Sequence, residues 1–156
     1  MKKALISGIT GQDGAYLARF LLDNNYKVFG MYRRSSTPNF WRLQSLDIFN
    51  QILFIPSDIT DTGSIMEAIT IAEPDEIYNF ADQDHVKWSF EVPSYSFDIT
   101  GSSVVKILEI IKNCSPHSKF FQPFSSNIFG NSNKKKQNEK EPFSPLSIYA
   151  LGKVTA

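Results

Sequence analysis

Short apolar runs separated by amphipathic stretches set the rhythm of this chain. A five-residue apolar strand beginning at Lys3 runs into three glycines, Gly8, Gly11 and Gly14, and then into a segment where Leu17, Phe20 and Leu21 recur at helical spacing. Asn24 and Asn25 stop that helix before a second apolar run, Lys27 to Tyr32. Residues Thr37 to Asn50 are polar and aromatic without a clean period and read as an excursion loop, with a helical turn around Leu43 to Phe49. A third run, Gln51 to Pro56, precedes a helix whose face is marked by Ile65, Ala68, Ile69 and Ala72 and which Pro74 closes. A fourth strand is expected over Glu76 to Phe80 and one long helix over Pro93 to Asn113, with Phe97, Gly101, Val104, Leu108 and Ile111 on one face. Its small residues Gly101, Ser102 and Ser103 are expected to pack closely on the sheet. Ser115, Pro116 and His117 end it, and Lys119 to Phe124 reads as a fifth strand.

Strands alternating with helices predict an α/β fold, a Rossmann-like doubly wound parallel sheet. Right-handed crossovers give the strand order 3-2-1-4-5, with a crevice for a cofactor between strands one and four. The polar stretch between Gly130 and Pro145, including Lys134 to Lys136, reads as a solvated loop. A last helix carries Tyr149 and Lys153, four residues apart and so on one face. An ammonium beside a phenol favours the phenolate, which suits a tyrosine to act as a general base.

The glycines add chemistry to this pattern. A glycine after a strand permits a sharp turn, close approach of the backbone to a pyrophosphate and tight helix packing, while free amides at the helix start face the anion. The alternative is a tight strand-to-helix turn and nothing more. At the end of the second strand stand Arg33, Arg34, Ser35 and Ser36, where an acid would suit the free ribose hydroxyl of NAD. Two arginines and two hydroxyls suit the extra phosphate of NADP instead, through paired charge-assisted hydrogen bonds; the alternative for the arginine pair is a solvated surface patch. Asp58, just past the third strand, can hold an adenine amino group or serve as a turn acid before a helix.

With 156 residues and 42% hydrophobic content, one domain over 1–156 is expected. Sixteen basic and sixteen acidic residues cancel, which leaves no global field for nucleic acid or an anionic membrane. The single cysteine, Cys114, cannot form an internal disulfide and fits a reducing compartment. The apolar run after Met1, Lys2 and Lys3 is too short for a signal core or a membrane span, so a cytoplasmic protein is expected. No metal site is expected.

Taken together, the residues Gly8 to Gly14 (GITGQDG), Arg33 to Ser36, Asp58 to Asp61 (DITD), Tyr78 to Lys87 (YNFADQDHVK) and the Tyr149/Lys153 pair resemble the extended short-chain dehydrogenase/reductase family, and within it the dehydratases of nucleotide sugars. The resemblance covers Ala4 to Ala156. It implies NADP as cofactor, contacted by Gly8, Ile9, Thr10, Gly11, Gln12, Asp13, Gly14, Arg33, Arg34, Ser35, Ser36, Asp58, Ile59, Phe80, Ala81, Asp82, Gln83, Asp84 and Tyr95. It implies catalysis by Ser125, Tyr149 and Lys153, with Tyr149 as base, Ser125 on the developing ketone oxygen and Lys153 on the nicotinamide ribose. The implied substrate is GDP-mannose or a related nucleotide sugar, converted to its 4-keto-6-deoxy form, and the implied assembly is a homo-oligomer through helices such as Pro93 to Asn113.

The sequence departs from the family pattern in places. The glutamate that removes the C5 proton in the family, two residues after the catalytic hydroxyl, is Asn127 here, and a neutral amide cannot accept that proton. Pro123 and Phe124 stand where the family has small residues, and Asp82 adds an acid that must point away from phosphate or find a basic partner. Family chains run to roughly twice this length, a dinucleotide domain plus a substrate domain. The sheet is therefore expected to be incomplete at its C-terminal side and the substrate domain absent. A cofactor-binding module without turnover, a related epimerase or reductase, and a remnant fold that pairs with a full-length homologue are the other readings these features leave open.

Overall fold

Five parallel strands in the order β3-β2-β1-β4-β5 form the sheet of this computed structural model, which describes residues 1–37, 39–131 and 136–156. The strands are β1 (Lys3–Ser7), β2 (Lys27–Tyr32), β3 (Leu53–Pro56), β4 (Glu76–Asn79) and β5 (Lys119–Phe121). The expected order is therefore the observed one. The helices are α1 (Gln12–Asp23), α2 (Trp41–Ser45), α3 (Thr62–Ala72), α4 (Trp88–Glu91), α5 (Pro93–Phe97), α6 (Ser103–Cys114) and α7 (Ile148–Thr155). Two compact units divide the chain, Met1–Ala81 with Ile107–Gln122, which holds the whole sheet, and Asp82–Lys106 with Pro123–Ala156.

In the first unit, β1 runs centrally, with Leu5 opposite Phe29 of β2 and Ile77 of β4. Alternate side chains go to opposite faces. Ala4, Ile6 and Val28 join Ala15, Ala18 and Leu21 of α1 in one buried cluster, to which Leu43, Ile48 and Ile52 of the excursion contribute. Leu5, Met31 and Ile77 meet Ile65 and Ile69 of α3 on the other side. The helical face of α1 is shifted from the one its periodicity suggested: Leu17 packs at the edge of the cluster, while Phe20 is exposed. Small alanines, which periodicity of large residues overlooks, carry the contact with the strands.

The excursion after β2 packs rather than wanders. Phe40 sits edge-on to Tyr32 at 5.4 Å and to Phe54 at 5.1 Å, and Phe49 lies 5.1 Å from Phe54, so four aromatic rings cover the ends of β2 and β3. A 3-10 turn over Phe49–Gln51, in which the Gln51 amide donates to Ile48 O at 2.9 Å, delays β3 to Leu53. β5 stops at Phe121, short of the expected Phe124, because Pro123 has no N–H to donate to a ladder. β4 stops one residue early, at Asn79.

The long helix expected over Pro93 to Asn113 begins in the second unit as α5 and breaks into a π turn, Asp98–Ser102, before α6 carries the chain on to Cys114. Of its small residues, Gly101 packs on α7. A Cβ on Gly101 would stand 3.2 Å from the Cα of Gly152 in α7, so the π turn and α7 touch backbone to backbone. The four-residue α4 was not foreseen, since one turn of helix has no measurable period. Of the polar loop expected between Gly130 and Pro145, residues 132–135, including Lys134 and Lys135, lie outside the described residues.

Leu43 is fully buried whereas Met66 on α3 is about half exposed. Leu43→Ala is expected to destabilise the fold by about 2–5 kcal/mol and Met66→Ala by under about 0.5 kcal/mol, read from urea unfolding midpoints.

Candidate functional site

The first unit presents a turn made of backbone alone. Gly8 follows β1 with φ of 67°, and a Cβ on it would stand 2.6 Å from the Ala81 nitrogen and from the Phe80 carbonyl carbon. A Cβ on Gly14 would stand 2.5 Å from the Gly8 oxygen. Neither site admits a side chain, which explains two of the three glycines sterically. Gly11 is the N-cap of α1 and brings no side-chain acceptor to it, whereas Asp61 caps α3 through the Ser64 amide and Ser147 caps α7 through the Ala150 amide. No side-chain acceptor caps the opening amides of this twelve-residue helix, which lie at the positive end of the helix dipole, and the Ala15 amide donates to Gly11 O at 3.1 Å. Ile9 is buried beneath the turn, and Thr10 O accepts from the Arg42 guanidinium at 3.2 Å. This cradle fits a phosphate.

Beside it, Thr10, Tyr32, Arg33, Arg34, Ser35 and Phe40 line a cleft of about 550 Å³. The two arginines that follow β2 are exposed, and both line the same cleft. Ser35 donates to Thr37 O at 2.6 Å and shapes the loop; Ser36 is exposed but does not line the cleft. Asp58 stands half-buried in the turn after β3, followed by the buried Ile59. Its Oδ1 accepts from the Thr60 amide at 2.9 Å and the Thr60 hydroxyl at 2.8 Å, a side-chain turn that leads into the Asp61 cap. Burial raises the Asp58 pKa, but these two hydrogen bonds and the Arg33 charge outweigh it and hold the carboxyl below the usual range.

The second unit gathers the remaining residues. Lys153, on α7, has a side chain 3% exposed, and its Nζ lies 2.6 Å from Asp82 Oδ2, whose side chain is 13% exposed. It also donates to Pro123 O at 3.1 Å and lies 5.7 Å from the centroid of the buried Tyr149 ring. The basic partner that Asp82 required is Lys153. The other oxygen of Asp82 accepts from Thr100 Oγ1 at 2.7 Å and from the Gln83 amide at 2.8 Å. Gln83 is tied to Ser96 Oγ at 2.9 Å, Asp84 is exposed, and Tyr95 on α5 is exposed. Ser125 caps the 3-10 turn Ser126–Phe129, its hydroxyl accepting from the Asn127 amide at 3.3 Å and from Asn127 Nδ2 at 3.1 Å. In both of these contacts Ser125 Oγ accepts, so neither uses the serine proton.

Some polar residues of this region escaped the sequence. Ser7 donates to Asn79, Asn79 donates to Gln122 Oε1 at 2.7 Å, and the Ala81 amide donates to Ser7 Oγ at 3.3 Å, a chain of hydrogen bonds across the ends of β1 and β4. Ser7 and Asn79 are both buried. A polar residue closing an otherwise apolar strand was the available signal. Thr100 had none, because it belongs to a π turn within a helix of ordinary period.

A doubly wound parallel sheet, a glycine turn after its first strand and a helix carrying Tyr-x-x-x-Lys place this molecule among the extended short-chain dehydrogenase/reductase proteins. A family model described as GDP-mannose 4,6 dehydratase matches residues 5–156, and the chain belongs to that family. It is 40% identical over 163 residues to the GDP-mannose 4,6-dehydratase of Yersinia enterocolitica, covering 100% of this chain and 44% of that protein. It is 41% identical over 165 residues to GDP-mannose 4,6 dehydratase 2 of Arabidopsis thaliana, covering 99% and 44%. The chain thus spans under half the length of these relatives. Among solved structures, the UDP-Glc/GlcNAc 4-epimerase of Campylobacter jejuni shares the fold at a TM-score of 0.89 and 19% identity, over 99% of this chain and 46% of that one. No helix among the described residues is long and apolar enough to cross a membrane.

Since folding lowers the Asp58 pKa, its contribution to stability is complete above the ordinary carboxylate range and is lost as pH falls through the lowered value. Asp58→Asn is expected to flatten the decline of stability below about pH 4, in urea titrations run from neutral to acid pH. An unchanged decline would show that the turn does not depend on the charge.

Proposed function

We infer that this chain carries the cofactor-binding part of an NADP-dependent nucleotide-sugar dehydratase, with GDP-mannose as the substrate of the complete reaction. The observation that carries the cofactor reading is the cleft beside the glycine turn, lined by both Arg33 and Arg34. A guanidinium pairs with phosphate through parallel charge-assisted hydrogen bonds, which favours a ribose bearing a 2′-phosphate over one with a free hydroxyl. The uncapped amides of α1 and the steric exclusion of side chains at Gly8 and Gly14 support the pyrophosphate next to it. Asp58 and Ile59 then serve the adenine, Phe80 to Asp84 and Tyr95 the length of the cofactor, and Lys153 a ribose hydroxyl.

The bound nicotinamide would supply the hydride acceptor and donor of an internal redox reaction. Tyr149 takes the proton of the sugar 4-hydroxyl, and Ser125 donates a hydrogen bond to the oxygen as it becomes a ketone. Removal of the C5 proton and loss of water from C6 need a base as well. The residue at the family's glutamate position is Asn127, and its amide is spent as a donor to Ser125 Oγ. That single contact supports a second reading, cofactor binding without turnover. A cytoplasmic location and a homo-oligomer accord with either reading.

Calorimetric titration of the 156-residue chain with NADP and NAD tests the cofactor. NADP is expected to bind the more tightly, and Arg33→Ala to weaken it by about tenfold or more while NAD changes little. An equal loss for both would refute the phosphate argument. Incubation with NADP and GDP-mannose, followed by product detection, separates the two readings: a 4-keto-6-deoxy product supports the dehydratase, and NADP binding without product supports the module.

A further inference from the structure

We propose that Asp82 is a positioning residue for Lys153, a carboxylate that accepts a hydrogen bond from the ammonium so that its remaining donor is aimed at a hydroxyl of the cofactor's nicotinamide ribose. The proposal rests on the NADP reading above and adds to it a carboxylate, and a hydroxyl behind that carboxylate, in place of a lone lysine. A lysine ammonium has three donors and no acceptor. Asp82 Oδ2 takes one at 2.6 Å and Pro123 O a second at 3.1 Å, which leaves one among the described residues. A four-carbon stem held at two points cannot sweep its third proton over a wide cone, and a donor set in advance loses less freedom when a ligand arrives.

The carboxylate is itself held from behind. Thr100 Oγ1 and the Gln83 amide both donate to Oδ1, which turns Oδ2 toward the ammonium. Thr100 can reach Asp82 because the helix carries a π turn at that point and because its neighbour on α7 is a glycine: a Cβ on Gly152 would stand 2.9 Å from Thr100 Cβ. Gly152 directly precedes Lys153. The π turn, Asp82, Lys153 and α7 thus close a ring of contacts, each needing the one before it. Stability alone gives no reason for such a ring, since a buried ion pair is often replaceable by apolar residues of like volume at little cost. Positioning of the buried ammonium does give one.

The test compares NADP with adenosine 2′,5′-bisphosphate, which carries the adenosine and its 2′-phosphate but no nicotinamide ribose, by calorimetry on the 156-residue chain and its Asp82→Asn variant. The variant amide keeps an acceptor for Thr100 and Gln83 but turns a donor to the ammonium, which frees Lys153. Asp82→Asn is expected to weaken NADP by about tenfold while leaving the bisphosphate within about twofold. Equal weakening of both ligands, no change in either, or tighter NADP binding each overturns the proposal, the last because it would make Asp82 a competitor for Lys153. Should Asp82→Asn fail to fold, Thr100→Val removes only the hydroxyl behind the carboxylate, and the same selective loss, smaller in size, is required of it. If the unaltered chain does not bind the bisphosphate, the NADP reading fails and the proposal with it; if it binds and the variants show no selectivity, only the role of Asp82 fails.

Discussion

Residues 8 and 14 have no space for a side chain, and the first unit is built around that fact. The backbone after β1 passes so close to Phe80 and Ala81, and the start of α1 so close to the Gly8 carbonyl, that a single carbon at either glycine would overlap main-chain atoms. Main chain cannot move aside as a flexible side chain can, so the contact sets where α1 begins and how near it lies to the strands. The buried face of α1 is made of small residues for the same reason: Gly14, Ala15 and Ala18 let the helix approach, and Leu21 fills the space farther along. A helix docked this tightly, with no side chain capping its first amides, has the form of an anion cradle as a by-product of its packing.

The second unit uses the same device for another end. Gly101 and Gly152 allow a π turn and α7 to meet by backbone, and the contact carries polar groups inward instead of apolar ones. A buried lysine is costly unless a carboxylate and further hydrogen bonds accompany it. Here Asp82, Thr100, Gln83 and the Pro123 carbonyl supply them all. Asp82 is a departure from the family pattern that looks adverse beside a phosphate; paired with Lys153, it becomes the element that makes the buried ammonium tolerable.

Asn127 is the departure without such compensation. The contact it makes orders the turn after β5, where Ser125 Oγ accepts from both the Asn127 amide and Nδ2. The group that would remove a carbon-bound proton is an amide. In the reaction proposed above, the redox step has its candidates in Ser125, Tyr149 and Lys153, whereas the position of the elimination base holds an amide.

The strand order, the glycine turn, the arginine pair and the Tyr149/Lys153 helix were all legible in the sequence, because each rests on neighbours within a few residues: periodicity, glycine spacing, a pair four apart on one helix. What it missed were contacts made across long separations or at places where local rules break. Phe40 looked like a loop residue until the aromatic rings of Tyr32 and Phe54 were set beside it. The helix from Pro93 read as continuous because a π turn changes the path of a helix without changing its composition. Ser7 and Asn79, 72 residues apart, and Asp82 and Lys153, 71 apart by their numbers, pair only once the chain is folded. The sequence by itself determined the architecture and the residue types available for binding, since hydrophobic period and backbone sterics are local. Only the tertiary structure decided which charges meet, because burial and a partner's distance, not residue identity, govern what a buried ammonium or carboxylate does.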